Sequence, residues 1–213
     1  MNKPLFILII ILFLSGCASK HYEETATGKL SGKLTVQWTR PDEFLFVPDE
    51  DDPLTFERSN GQLIIPKNMP TDGGSIPRVF WVFNSFSPWG YAPAFIIHDW
   101  LFHMKYCRIP SNEKYDVLIA GQIISEVMKT MMNNYPDVEE NKFVLYSMNQ
   151  AVTSDTAKDL WDNGKCPPPE AQKQIRARAF ALYGDTGFED NIKSEDNVDQ
   201  VKDLQKMKLT IEF

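Results

Sequence analysis

The stretch Ala94-Phe95-Ile96-Ile97-His98-Asp99-Trp100-Leu101-Phe102 divides this chain into two halves of different character. It is apolar on nearly every face of a helix, which marks a buried helix rather than a surface one. From Tyr91 onward the pattern stays helical. Helices are predicted over 94–106, over 112–133 behind a Ser111 cap with Glu113 and Lys114 in its first turn, and over 139–162. Cys166-Pro167-Pro168-Pro169 breaks the chain before a further predicted helix over 170–183, closed by Gly184.

Upstream of the dividing stretch the period is two. Lys33 to Thr39 alternates, with Leu34, Val36 and Trp38 on one face, and short apolar runs follow at 44–47, 54–56 and 62–65 between Pro, Asp, Asn and Gly. These are predicted antiparallel strands, and Ser59-Asn60-Gly61 predicts a hairpin between the last two. The expected fold class is therefore α+β, a small N-terminal antiparallel β-sheet followed by a C-terminal helical bundle. No internal repeat is visible.

The His98-Asp99 pair gives the apolar helix its chemical interest. Two titratable groups inside such a helix need partners, because burying them alone is costly. The next predicted helix offers Asp116, the one acid between Tyr115 and Ile124. A carboxylate on one imidazole nitrogen fixes the tautomer and leaves the other nitrogen as a base, so His98 and Asp116 are the candidate catalytic residues. Consecutive helical residues point about 100° apart, so Asp99 faces a neighbouring site instead. The turn Thr71-Asp72-Gly73-Gly74-Ser75-Ile76-Pro77-Arg78 is the candidate for it, with Asp72, Gly73, Gly74 and Asp99 as candidate metal-site residues. Adjacent glycines allow close approach of the backbone to a ligand, and the bland alternative is a strand-to-helix connection capped by Asp72. His103 lies on another side of the helix and does not complete a shared metal site with His98. The aromatics Phe80, Trp81, Phe83, Phe86 and Trp89 between the two stretches are read as core, with an interfacial or ligand-contacting surface as the alternative.

Taken in order, the turn from Thr71 to Arg78, the helix from His98 to Phe102 and Asp116 resemble an uncharacterised bacterial and phage family, the domain of unknown function 1353. Trp100 and Phe102 stand where that family usually has tyrosines, and Tyr115 where it usually has alanine. The resemblance spans about residues 33 to 155 and implies no particular activity. A weaker similarity, of the His-Asp helix to phospholipases A2, implies an ester hydrolase. There His98 would be the general base, Asp116 would orient it, and Asp99 with the Gly73 and Gly74 carbonyls would bind Ca²⁺. The rival expectation is a satisfied polar network in a non-catalytic, phage-related binding or structural protein.

The N-terminus supplies an address. Lys3 precedes the apolar run from Leu5 to Leu14, which is too short to span a bilayer, and Leu14-Ser15-Gly16-Cys17 resembles a bacterial lipobox. The resemblance implies a signal peptide over 1–16 and acyl chains on Cys17, palmitate included, with sorting to the periplasmic side of the outer membrane in a Gram-negative envelope. With 22 basic against 29 acidic residues, a net charge of −7, neither nucleic acid nor anionic lipid is an electrostatic partner. The anchor would be the acyl chains, and the expected substrate a lipid or another ester. In an oxidising compartment Cys107 and Cys166 are candidates for a disulfide, with two buried thiols as the alternative. The expected organisation is a lipidated flexible tether over 17–32, one domain over 33–184 and an acidic, loosely ordered tail over 185–213, with a terminal strand over 209–213.

Overall fold

A computed structural model describes residues 16–40, 43–71, 90–167 and 208–212 of the chain. Residues 16–24 are helical (α1), followed by strands β1 (Lys29–Ser31), β2 (Lys33–Arg40), β3 (Glu43–Phe46), β4 (Thr55–Glu57), β5 (Leu63–Ile64) and β6 (Met69–Thr71). Helices α2 (Ala92–Tyr106), α3 (Val117–Asn134), α4 (Lys142–Val152) and α5 (Asp155–Asn163) come next, and β7 (Lys208–Glu212) returns to the sheet. The predicted α+β class is therefore the observed one. It is realised with two antiparallel sheets in place of one, ordered β1-β4-β5 and β6-β3-β2-β7.

The chain passes between the sheets at Gly32, whose φ of +95° is left-handed backbone that a side chain would strain. β1 then pairs with β4 and β2 with β3, so one short N-terminal stretch belongs to both sheets. The predicted hairpin forms between β4 and β5, with Gly61 at φ +81° and the Gln62 amide donating to Asn60 Oδ1 at 3.0 Å. Leu45 and Phe46 are both buried although they point to opposite faces of β3, as an unbroken apolar run requires of a strand covered on both sides. The terminal strand also forms, with Leu209 opposite Val36 and Ile211 opposite Leu34.

Behind the sheets, α2 is buried along most of its length, from Ala92 to His98 and again at Trp100, Leu101 and Met104. Pro93 sits in its first turn, where the missing N–H costs nothing. Its end is a Schellman motif: Arg108 takes φ +52°, its amide donates to the Lys105 carbonyl, and the Ile109 amide donates to that of Met104 at 3.0 Å. Leu34, Phe46, Phe56, Ile97, Leu101, Ile123 and Leu145 share one apolar cluster, so sheets and helices enclose a common core. Cys107 and Cys166 are bonded, tying the end of α2 to the segment after α5.

Three expectations are corrected. Ser111 does not cap the second long helix; it precedes a 3-10 turn over Asn112–Lys114, and the helix starts at Val117 with Asp116 as its cap. The single helix expected over 139–162 is two. Thr153 Oγ1 donates back to the Asn149 carbonyl, and Ser154 then caps α5 by accepting from the Ala157 amide. Most consequentially, the tether expected over 17–32 is folded. Ala18, Tyr22 and Thr25 are buried, Lys129 Nζ donates to the Tyr22 and Thr25 carbonyls at 2.7 Å each, and β1 lies in a sheet. The helix expected over 170–183 and the signal segment 1–15 lie outside the described residues. Among the described residues, no helix is long and apolar enough to cross a membrane.

A buried ion pair links the two halves. Glu126, 2 % exposed on the core side of α3, receives Arg58 in a two-pronged pair, Nε to Oε2 at 2.7 Å and Nη2 to Oε1 at 2.8 Å. Arg58 follows β4 and also donates to Gln62 Oε1, whose amide nitrogen donates to the Tyr115 hydroxyl at 2.9 Å. Arg58→Leu leaves Glu126 buried and unpaired, and is expected to cost about 3–5 kcal/mol in urea unfolding. Arg58→Leu with Glu126→Leu recovers most of that loss; equal losses in the single and double variants would contradict the coupling.

Candidate functional site

His98 stands in the second turn of α2 with 8 % of its surface exposed. Its ring lies against Phe102, centroids 4.8 Å apart, and Phe102 in turn meets Trp161 of α5 edge-on at 4.8 Å. The imidazole therefore has an aromatic floor shared by two helices. Its Nε2 is buried with no hydrogen-bond partner among the described residues, whereas Nδ1 is 3.8 Å from Asp99 Oδ1, too far for a hydrogen bond. An unpartnered buried nitrogen costs about 1–3 kcal/mol, so it is a feature to be explained.

Asp99 is held by Thr71, whose Oγ1 donates to Asp99 Oδ2 at 2.5 Å, a short bond of the charge-assisted kind. Thr71 ends β6 and is itself 5 % exposed. The strand thus delivers the chain to Asp99 at the point where the Asp72 turn begins. Two stretches singled out in the sequence are brought together here through a residue, Thr71, that was not itself named as part of the site. Its signal was its place as the first residue of the turn.

Asp116 is located elsewhere. It is exposed, and its Oδ1 accepts from the Ile119 amide at 2.7 Å, so it is the N-cap of α3; no hydrogen bond joins it to His98 among the described residues. A short acidic side chain just before an apolar helical run satisfies the free amides of that helix first. Asp72, Gly73 and Gly74 lie outside the described residues, as do the aromatics from Phe80 to Trp89. For Ca²⁺, Asp99 is then the one described member of the expected set, while such an ion takes six to eight oxygens. Among the described residues no cluster of three or more metal-ligating side chains occurs.

His103, a turn and a half further along α2, has a different neighbourhood. It stacks on Trp100 with centroids 5.8 Å apart and brings Nε2 to 3.7 Å from Cys107 Sγ. Burial holds its pKa below the usual value, and burial does the same to His21 of α1, partly offset by Glu24. Sequence reasoning missed the Arg58–Glu126 pair, although its signal was present: Glu126 is the one acid of α3, it stands among mainly apolar residues, and burial there requires a cation.

Residues 51–139 match the family described as "Protein of unknown function (DUF1353)". The resemblance read from the motifs is borne out for this span, which runs from ahead of β4 to beyond α3 and contains Thr71, His98, Asp99 and Asp116. No curated protein and no solved structure matches the chain.

The histidines set a pH dependence. Because the fold disfavours the protonated forms of His103 and His21, their contribution to stability is fully present above the unfolded value of about 6.5 and is lost as pH falls through their lowered folded values. The urea midpoint is expected to drop between pH 7.5 and 5.5, and His103→Gln to flatten that slope. An unchanged slope in His103→Gln combined with His21→Gln would assign it to other groups.

Proposed function

We propose that the chain is an envelope lipoprotein, anchored by acyl chains on Cys17, whose His98–Asp99–Thr71 cluster serves a hydrolase acting on a lipid or another ester. The observation that carries the catalytic part is the buried Nε2 of His98, without a hydrogen-bond partner among the described residues. An imidazole nitrogen buried over an aromatic floor, with no partner among the described residues, is placed to accept a proton from water. Asp99 stands 3.8 Å from the other ring nitrogen, and Thr71 keeps its carboxylate in place. Asp99, not Asp116, is then the acid that assists His98. The anchor rests on the lipobox resemblance of Leu14-Ser15-Gly16-Cys17 and is supported by the exposure of Cys17, the one free cysteine among the described residues.

A second reading, a non-catalytic envelope protein that acts by binding, is favoured by one observation. Asp116 is committed to capping α3, which leaves Nδ1 of His98 without a hydrogen-bonded orienting carboxylate. On that reading His98 and Asp99 are packing elements.

Hydrolysis of short-chain esters and of phospholipid vesicles, with Ca²⁺ and with chelator, separates the two. Wild type is expected to exceed His98→Ala by at least about a hundredfold, the usual scale of a general base. Thr71→Val is expected to fall between them. Background rates in all three proteins would leave the binding reading. Separately, Cys17→Ala is expected to abolish metabolic labelling with palmitate and to move the protein from the detergent phase to the aqueous phase.

A further inference from the structure

If Cys17 carries the lipid, the place where the folded domain begins decides how freely it moves on the membrane. The sequence predicts a slack tether, and fifteen flexible residues would span about 20 Å. The structure has no such slack. Ala18, next to Cys17, is 4 % exposed, and Ala18, Tyr22 and Thr25 form a buried stripe at helical spacing along α1.

This docking rests on several independent contacts with distant parts of the chain. The Tyr22 hydroxyl has two acceptors within reach of its single proton, Asn133 Oδ1 at 2.9 Å and Glu140 Oε2 at 3.1 Å. Burial and the Glu140 carboxylate push its pKa up to about 12, so it stays a donor. Its ring carries Lys129 at 4.7 Å and Lys142 at 5.2 Å. Lys129 also neutralises the carbonyl end of α1 by bonding Tyr22 and Thr25. His21 meets Tyr146 of α4 edge-on, and the Gly28 amide donates to Thr130 Oγ1 at 2.9 Å. Cys17 itself is exposed, at the free end of this docked helix.

We infer that α1 is a rigid bracket that turns one side of the domain toward the bilayer. That side is built from α1, the last turns of α3 and the first turns of α4, and its partner is the lipid leaflet holding the acyl chains. The inference rests on the reading that Cys17 is acylated. With the lipid one residue from buried Ala18, the domain has a fixed address and orientation on the membrane, and the candidate site on α2 stands at a constant height above it.

The acylated protein has no free thiol among its described residues, since Cys107 and Cys166 are bonded, so introduced cysteines label selectively. Nitroxides at Glu23→Cys and Asp137→Cys, both exposed positions, are expected to give one narrow distance distribution in phosphatidylethanolamine–phosphatidylglycerol vesicles. Adding Tyr22→Ala and Lys129→Ala is expected to broaden it several-fold, with circular dichroism verifying that the rest stays folded. As a second measurement, a fluorophore at position 23 is expected to be quenched by headgroup-labelled lipid. Quenching should drop several-fold when ten Gly/Ser residues are inserted between Cys17 and Ala18, which separates Cys17 from the docked part of α1 while leaving residues 18–24 unchanged. A broad distribution in the parent protein, or equal quenching with and without the insert, overturns the bracket. The mass of the Cys17 peptide is read on the same samples. An unacylated peptide overturns the anchoring reading instead, while the distance distribution still reports whether α1 is docked.

Discussion

The pairing of Arg58 with Glu126 is the contact on which the assembly of this protein turns. A carboxylate 2 % exposed on α3 is tolerable only with a cation fixed beside it, and the cation comes from the end of β4, in the sheet half of the chain. The pair therefore sets where the β4–β5 hairpin docks on the helical half. Gln62 extends it to Tyr115, just ahead of α3, so the register of the hairpin and the start of the helix are fixed by one network. Hydrophobic burial alone is non-directional and would not choose that register. A forked guanidinium does.

From that frame the candidate site follows. The strands after the hairpin bring Thr71 to the end of β6, and α2, packed across the same core, presents Asp99 to meet it. Among the described residues, His98 is the neighbour that gains no partner for Nε2. A structural role would be served by an apolar residue of similar size, without an unsatisfied nitrogen. The price of keeping an imidazole there is what makes it a candidate for chemistry. The same helix carries His103 beside the Cys107–Cys166 bond, so its last turns are held by a covalent link as well as by packing.

How much was legible beforehand differs by feature. The switch from a period of two to a helical period placed the sheets before the helices, and the Ser59-Asn60-Gly61 turn located a hairpin that forms as expected. The bonded pair of cysteines was one of two options left open by spacing and compartment. Asp116 was misread for a physical reason: a buried histidine needs a carboxylate, but the free amides at the start of α3 claimed this one at 2.7 Å. Residues 18–25 were misread because a stripe of Ala, His, Tyr and Thr does not look apolar. Its burial is stabilised by Lys129, Asn133 and Glu140, which lie more than a hundred residues away.

By itself, then, the sequence determined what local chemistry determines. The strand and helix periods, the hairpin turn, the family of the span from 51 to 139, and the presence of a His-Asp pair in an apolar helix all depend on residues close together in the chain. Tertiary structure decided which long-range partner each buried polar group obtained: Arg58 for Glu126, Thr71 for Asp99, Lys129 for the end of α1, and, among the described residues, none for His98 Nε2. Such choices compare the desolvation of one group against the reach of every other group, and that comparison exists only once the core has closed.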